Sequence, residues 1–471
     1  MSLMLLSATL LACIHPTPPG PSPAELAEEV PAPIALSAAG AEVHVTAVIQ
    51  AGSAHDPVGA GGTAWLTARL LRSGGTADLS PEAFEAALEA LGATLTLSVD
   101  KELVRLEGAA PLKHGEAFAA MVGALVATPG FAPEALDGVR DAATDGQAPS
   151  AEVIAAEALD TWLNQGHPYG HPITGSAAVR AAADAEALRA FHADHYTRDA
   201  VSVGVSAPKA DLDSVSLALS EPLAGLGRAP YDAWLAIRAG APPARELLVV
   251  DGGPDRAAIA LGAAVALPEA HPDRVALALA CIALSSWAPA DGPPLSANLD
   301  SRSQPSLTVT LAKASEDTSL QNAAFTLRRA LRLLEEWPGV DDAALADALH
   351  LYGSATAAPM ASDALSRAVH EDARERPSTG ALLLVAEALT PEDINRAFAA
   401  HLPLDRLRAV AVVDDPSAFL DALFEENETL PVYSGPMPDS DQLDTDADTA
   451  SWPLGITPDR AHVADVQGVF Q

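Results

Sequence analysis

Lysine is almost missing from this chain. Only Lys101, Lys113, Lys209 and Lys313 occur, and arginine brings the basic total to 27 against 63 acidic residues. The resulting formal charge of −36 argues against nucleic acid or anionic lipid as a partner, because phosphates are repelled by such a surface. Aromatic residues are also scarce, at 4%, although 49% of the chain is apolar. The core must therefore be built mainly from Ala, Leu and Val, a composition suited to helices packed on sheets. After the N-terminus no stretch reaches about 18 uninterrupted apolar residues, which leaves the body without a membrane-spanning segment. Neither a phosphate-cradling G-x-x-x-x-G-K-[ST] loop nor a G-x-S-x-G nucleophile elbow is present.

With 471 residues the chain has room for two or three domains. Its first thirteen residues, MSLMLLSATLLAC, are apolar and resemble a bacterial lipoprotein signal, which makes Cys13 the expected lipidation site. The Pro-rich HPTPPGPSPAE that follows suits an extended tether. Residues 1–32 are read as this leader and tether, which places the protein in a bacterial cell envelope as a periplasmic lipoprotein. Lipidation of Cys13 would leave Cys281 without an intrachain partner, and the apolar LALACIALSS around it predicts a buried structural thiol.

Residues 33–219 alternate strand and helix patterns. AEVHVTAVIQ and ATLTLSV alternate with period two, and LVRLEGAA reads as a partner strand reached through a tight turn at VDKE. Ser80, Pro81 and Glu82 start a helix that Gly92 ends, and further helices are expected near 114–127, 133–145, 150–164 and 176–194. The fold class is α+β, a sandwich of strands beside runs of helices and not a doubly wound parallel sheet. The order helix, short loop, Val-rich strand, proline, helix occurs at 188–219 and again at 394–423, which points to duplication of one domain. The expected division is a first domain at 33–219, a linker at 220–245, a second domain at 246–430 and a mobile acidic tail at 431–471.

The stretch 43–76, then LSPEAFEAALEALGATLTLSVDKELVRLEGAAP, GFAPEALDGVRDA and GHPYGHPITGSAAVRAAADAEALRAFHADHYTRDAVSVGVSA, resembles the pitrilysin/insulinase metallopeptidases. LLVVDGGPDRAAIALGAAVALPEAHPDRVALALA resembles the second repeat of that family. The resemblance implies two homologous domains closing as a clamshell. In the family, the helix after the Gly-rich loop carries H-x-x-E-H, whose histidines bind zinc and whose glutamate activates water. The matching positions here are Trp65, Ala68 and Arg69, which provide neither ligand nor base. The third ligand, a glutamate in the family, corresponds to Asp141 or Asp145. Zinc is the cofactor the family implies, and the residues needed to hold it are absent, so no cofactor is expected. Ala64, Ala68 and Leu71, together with Leu66 and Leu70, have the spacing of a buried helical stripe.

Two histidine pairs are candidate replacements for the zinc ligands. His167 and His171 flank Pro168 and Gly170 in a loop, and His192 and His195 share a helix with no acidic residue at ligand spacing. The family's second repeat supplies an arginine and a tyrosine that hold substrate. The comparable stretch contains Arg302 but no tyrosine, and Tyr352 lies beyond it on a helix; an exposed loop arginine is the simpler alternative for Arg302.

The resemblance implies a catalytically inactive subunit. Its partners would be an active zinc peptidase homologue, in a heterodimer, and peptides or unfolded protein segments, with membrane contact only through the lipid on Cys13. Two other readings stay open: a stand-alone peptide-binding envelope lipoprotein, and a metallopeptidase with unrecognised ligands.

Overall fold

A computed structural model of the chain describes residues 32–142, 150–229, 241–253, 257–265, 267, 271–289, 293–300, 302–303, 306–312, 320–356, 360–374, 377–424, 430–433 and 435–465. Cys13 and Asp145 lie outside the described residues, as do residues 230–240 of the expected linker.

Local sequence chemistry explains many element boundaries. Helix α1 (Thr63–Ser73) is followed by α2 (Pro81–Leu91), which begins where Ser80 Oγ accepts from the Ala83 N–H and ends at Gly92, whose φ of 63° suits a residue without Cβ. Strands β3 (Thr94–Val99) and β4 (Val104–Pro111) form an antiparallel hairpin in the register Thr94↔Ala109 to Val99↔Val104. Its turn is closed by Asp100, whose Oδ1 accepts from the N–H groups of Glu102 and Leu103, both at 2.7 Å. Helices α3 (Gly115–Ala127), α4 (Pro133–Ala142) and α5 (Ala151–Leu163) follow. The single helix expected near 176–194 is instead two, α6 (Ala177–Ala182) and α7 (Ala185–His195). Asp184 interrupts it by accepting from the Ala187 N–H at 2.8 Å and starting a new helix.

The architecture is mixed α/β and repeats itself. The first half adds β1 (Ile34–Ser37), β2 (Glu42–Ile49), β5 (Val201–Ala207) and α8 (Leu212–Leu223), and its sheet has the order β1-β5-β2-β4-β3. The second half contributes β6 (Glu246–Asp251), β7 (Ala258–Ala264), α9 (Pro272–Ser286), β8 (Ser296–Leu299), β9 (Ser306–Ala312) and α10 (Leu320–Glu336). Then come α11 (Asp342–Thr356), α12 (Ala361–Ala373), α13 (Thr379–Ala388), α14 (Pro391–His401), β10 (Arg408–Val413) and α15 (Pro416–Phe424). With a last strand, β11 (Ala461–Asp465), its sheet has the order β11-β6-β10-β7-β9-β8. Without β11, the two sheets share one strand order and one pattern of directions. β1 runs parallel to β5 as β6 does to β10, and the remaining pairs are antiparallel. The sequence echo between 188–219 and 394–423 falls on α7-β5-α8 and α14-β10-α15.

Each sheet buries one face under helices of its own half. Val43, Val45, Leu106, Val203 and Val205 lie in the first core, and Leu247, Val249, Leu261 and Ala411 in the second, which also holds Cys281. Burial pushes the Cys281 thiol up to about 12. The opposite faces are covered reciprocally. Helix α5 of the first half packs on β7, β10 and β9, with Ile154, Ala158 and Leu159 against Val250, Ala260, Val410 and Val412. Helix α12 of the second half packs on β1, β2 and β5, with Leu365 and Val369 against Val48 and Leu103. These helices are equivalent elements of the repeat, so the halves exchange one helix each.

The expectation of a mobile tail is corrected. Residues 440–450 form α16 (Ser440–Ala450), and β11 adds to the second sheet parallel to β6. Ala450, Leu454 and Ile456 are buried in or beside the second core. Side chains of α10 and the strand entrance hold this segment through its carbonyls. Arg328 donates to Trp452 O at 2.6 Å, Arg245 to Leu454 O at 2.8 Å, and Asn322 bonds both backbone groups of Val432. An acidic composition indicated a solvated surface but not the few apolar anchors. No helix of the described residues is long and apolar enough to cross a membrane.

Candidate functional site

Helix α1 begins where a Gly-rich loop turns into the first core. Gly62 enters it with φ 99°, and a Cβ there would stand 2.5 Å from Thr174 O, so only glycine fits. The helix is capped from a distance. Asp56 accepts from the N–H groups of Gly62 and Ala64, both at 2.6 Å, which satisfies exposed donors at the positive end of the helix dipole. Burial pushes the Asp56 carboxyl up to about 7, and the two donors oppose that shift.

The rest of the helix serves packing. Ala64, Leu66, Ala68, Leu70 and Leu71 are fully buried, as their spacing predicts. Trp65 is buried in the same core, whereas Arg69 is exposed with its guanidinium 5.5 Å from the Trp65 ring centroid. An indole, a methyl group and a cation cannot provide the donors that zinc requires, so these residues do not fit the family's ion. Asp141 lies in the last turn of α4, and its side chain is outside the described set. Among the described residues no group of three His, Cys, Asp or Glu side chains is placed to hold a metal ion.

The histidines are mainly structural. Nε2 of the buried His192 is 2.8 Å from Val126 O, and its ring stacks on Tyr196 with centroids 4.5 Å apart. His195 lies against Phe191 and against His55, the latter at 5.4 Å between centroids. Burial, helped by His195, lowers His55 to about 4. Burial lowers His192 and His195 as well, so these rings are held neutral. Nδ1 of His167 accepts from the Tyr169 N–H at 3.2 Å. His171 Nδ1 lies 3.9 Å from Asp56, at a cavity of about 380 Å³ beside the start of α1.

A buried ionic cluster joins the halves, and no sequence signal marked its members except Arg302. The β3–β4 turn directs Lys101 and Glu102 inward. Lys101 Nζ donates to Tyr169 O at 2.9 Å and to His171 O, and it lies 3.7 Å from Asp160 of α5. Arg302, from the second half, donates to both oxygens of Asp160 at 3.1 and 2.6 Å, and also bonds Asp300. Its guanidinium stands 4.9 Å from the Tyr169 ring centroid. Glu102 accepts from Tyr169 OH and from the Ser303 N–H, and pairs with Arg374 at 2.6 Å. Arg302 is therefore not an exposed loop arginine, because two carboxylates of the chain already occupy it. Tyr352 lies on α11, where burial pushes its hydroxyl up.

On the face of the first sheet that looks toward α12, β2, β3 and β4 present polar side chains, among them Thr46, Thr94, Thr96, Arg105 and Glu107. Between them and α12 runs a groove of about 620 Å³. Arg105 Nη2 is 3.0 Å from His370 Nδ1, and Ser366 Oγ donates to Glu107.

Among solved structures, the chain is similar to the peptidase M16 inactive domain from Pseudomonas fluorescens, with a TM-score of 0.71 and 19% identity over 81% of this chain and 95% of that one. It is also similar to the first half of the periplasmic protease PqqL from Escherichia coli (TM-score 0.64, 13% identity, 85% and 96% covered). A third match is pitrilysin (TM-score 0.61, 14% identity, 82% of this chain), of which this chain spans 44%. No protein-family model matches the sequence, and no curated protein is significantly similar to it. At these identities the likeness is one of fold: the chain has the fold of M16-type peptidase domains.

Proposed function

We propose that the chain is a catalytically inactive member of the pitrilysin/insulinase family that pairs with a zinc-bearing homologue to form a peptide-binding chamber. The observation that carries this reading is the helix where the family's metal motif belongs. There Trp65 is packed into the core, Ala68 is buried and Arg69 covers the indole. The state of Arg302 supports it from the second half, since Asp160 and Asp300 neutralise the arginine that would hold a substrate. The polar groove under α12 supports the peptide-binding part, because it offers hydroxyls and charges of both signs in a concave space. Attachment of Cys13 to lipid in a bacterial envelope completes the proposal.

The test is zinc content and activity of purified residues 20–471, alone and mixed with an intact H-x-x-E-H homologue from the same cell. The expected result is near-zero zinc, no hydrolysis alone, and a stable complex whose peptide turnover exceeds that of the homologue by itself. One chelatable zinc per chain with peptide hydrolysis would overturn the inactive assignment. Failure to associate with any such homologue would overturn the pairing.

A further inference from the structure

On the second half, α9 and α10 end at one cleft of about 650 Å³, and α16 of the C-terminal segment forms its other wall. Trp287 follows the last residue of α9, while Leu333 and Glu336 belong to the last turn of α10. Two helices therefore bring their carbonyl ends, the negative ends of their dipoles, to the border of one space. Neither has a basic residue in its last turn. The positive end of α16 borders the cleft too, but Asp439 caps it by accepting from the Gln442 N–H at 3.0 Å. Arg332 also lines the cleft and is engaged, since it donates to Glu336 at 2.7 Å. What remains is acidic. Asp439 and Asp441 are exposed, and each has one carboxylate oxygen without a partner among the described residues. The indole at the cleft is unusual in this chain. Trp65 has Arg69 at 5.5 Å, Trp162 has Arg408 at 4.8 Å, Trp337 packs on Phe398, and Trp452 donates to Glu335. Of the described tryptophans, Trp287 alone has no cation, ring or hydrogen-bond acceptor at its indole. It is half-buried, so part of the ring packs on the second core and part borders the cleft.

We infer that this cleft takes an arginine side chain from a peptide segment outside the chain, its guanidinium stacked on Trp287 and held by Asp439 and Asp441. Arginine matches the lining in each of its parts. Pro289, Leu333 and Pro438 offer an apolar cover for its methylene stem. Its planar cation stacks on an indole and presents a fork of donors to carboxylates, whereas a lysine ammonium supplies only the charge. The two helix ends add a field of the sign that a cation needs. A cleft of this volume is larger than one side chain, so the residues flanking the arginine enter with it. The formal charge of −36 attracts basic segments from a distance, and the cleft gives that attraction a specific end point. Neither the lost zinc motif nor a partner subunit enters into this site, so it can fail without affecting the proposed function.

The experiment is calorimetric titration of the full chain with acetyl-Gly-Arg-Gly-amide and with the same tripeptide carrying lysine or the uncharged isostere citrulline. Agmatine, the arginine side chain without a peptide, is run alongside. Citrulline is expected to weaken binding about tenfold, the usual scale for losing a charge-assisted contact, and lysine about threefold. Trp287→Leu keeps an apolar residue against the core and should weaken the arginine peptide about fivefold through the lost cation–π contact. Asp441→Asn changes an exposed side chain and should weaken the arginine peptide about threefold. Asp213→Asn, an equal change of charge at an exposed position on α8 of the first half, should leave binding unaltered. Equal binding of the arginine and citrulline peptides, or no saturable binding of any, overturns the cation site. Equal losses in the Asp441 and Asp213 variants overturn it as well, because attraction to the overall charge then accounts for the binding. Agmatine bound as tightly as the tripeptide overturns the peptide segment as the occupant.

Discussion

Replacing Arg302 by Gln is the most direct probe of how the halves are joined. The guanidinium donates to both oxygens of Asp160, bonds Asp300 and stands over Tyr169. Its removal leaves Asp160 with the Asn164 amide at 2.9 Å and Lys101 at 3.7 Å, and takes the counterion from Asp300. Stranding a buried partner costs about 3–5 kcal/mol. Asp160 and Asp300 retain 20% and 24% side-chain exposure, so water recovers part of that cost. A loss of about 3 kcal/mol results, which for a half of this size lowers Tm by roughly 6–12 °C. Because the cluster ties the first half to the second, calorimetry should show one transition for the parent protein and two for the variant. Asp160→Asn should cost less in the Arg302→Gln background than alone, with a coupling of about 1 kcal/mol or more. A Tm change below about 2 °C with one unbroken transition would refute the reasoning and show the cluster to be energetically idle.

Trp65→Ala should destabilise the first half by about 3–5 kcal/mol in denaturant unfolding, the cost of an emptied aromatic site, and a shift under about 1 kcal/mol would show that the indole is not core. His55 is lowered to about 4, below its unfolded value of 6.5, so its contribution is intact above pH 6.5 and is lost as pH falls from 6.5 toward 4. A shift of that size corresponds to about 3 kcal/mol, and His55→Gln should flatten the stability profile across that window. Gly204→Ala places a Cβ 2.5 Å from Val369 Cγ2 and 2.8 Å from Leu365 Cδ1, which should push α12 from the sheet at a cost of about 1–3 kcal/mol in urea unfolding. Arg328→Met removes the donors to Trp452 O and Leu423 O, and hydrogen exchange should then rise selectively within 440–465.

Much of the first half was legible in the sequence because its signals are local. Ser80 and Gly92 bound a helix through a cap and a left-handed φ, and neither depends on distant residues. The stripe Ala64, Ala68 and Leu71 is buried where its spacing places it. Other features depended on residues far away in the chain. Lys101 and Glu102 read only as part of a tight turn, yet they are buried because Tyr169, Arg302 and Arg374 surround them from segments 67 to 273 positions away. The C-terminal segment misled for a related reason. Its acidity is real, but Ala450, Leu454 and Ile456 and the arginines that grip its carbonyls decide its position. Arg302 read as a substrate-holding or exposed loop arginine, whereas its carboxylate partners come from α5 and its own loop, a pairing that spacing does not encode.

The exchange of α5 and α12 also fixes the order in which surfaces can be covered as the ribosome makes the chain. Helix α5 is synthesised before the second sheet exists, so that sheet meets its cover at once. The first sheet is complete at Ala207 and must wait until Ala373, 166 residues later, for α12. At about 5–20 residues per second that interval is roughly 8–33 s. The composition of the two faces agrees with this schedule. The face that never waits is apolar, with Val250, Ala258, Ala260, Val410 and Val412. The face that waits presents Thr46, Arg105, Glu107, Ser202 and Ser206, and only a small apolar patch around Val48 and Leu103. A nascent chain with the polarity reversed would expose an oily sheet for that whole interval, so the hydrophilic wall of the groove also protects the unfinished protein from aggregation.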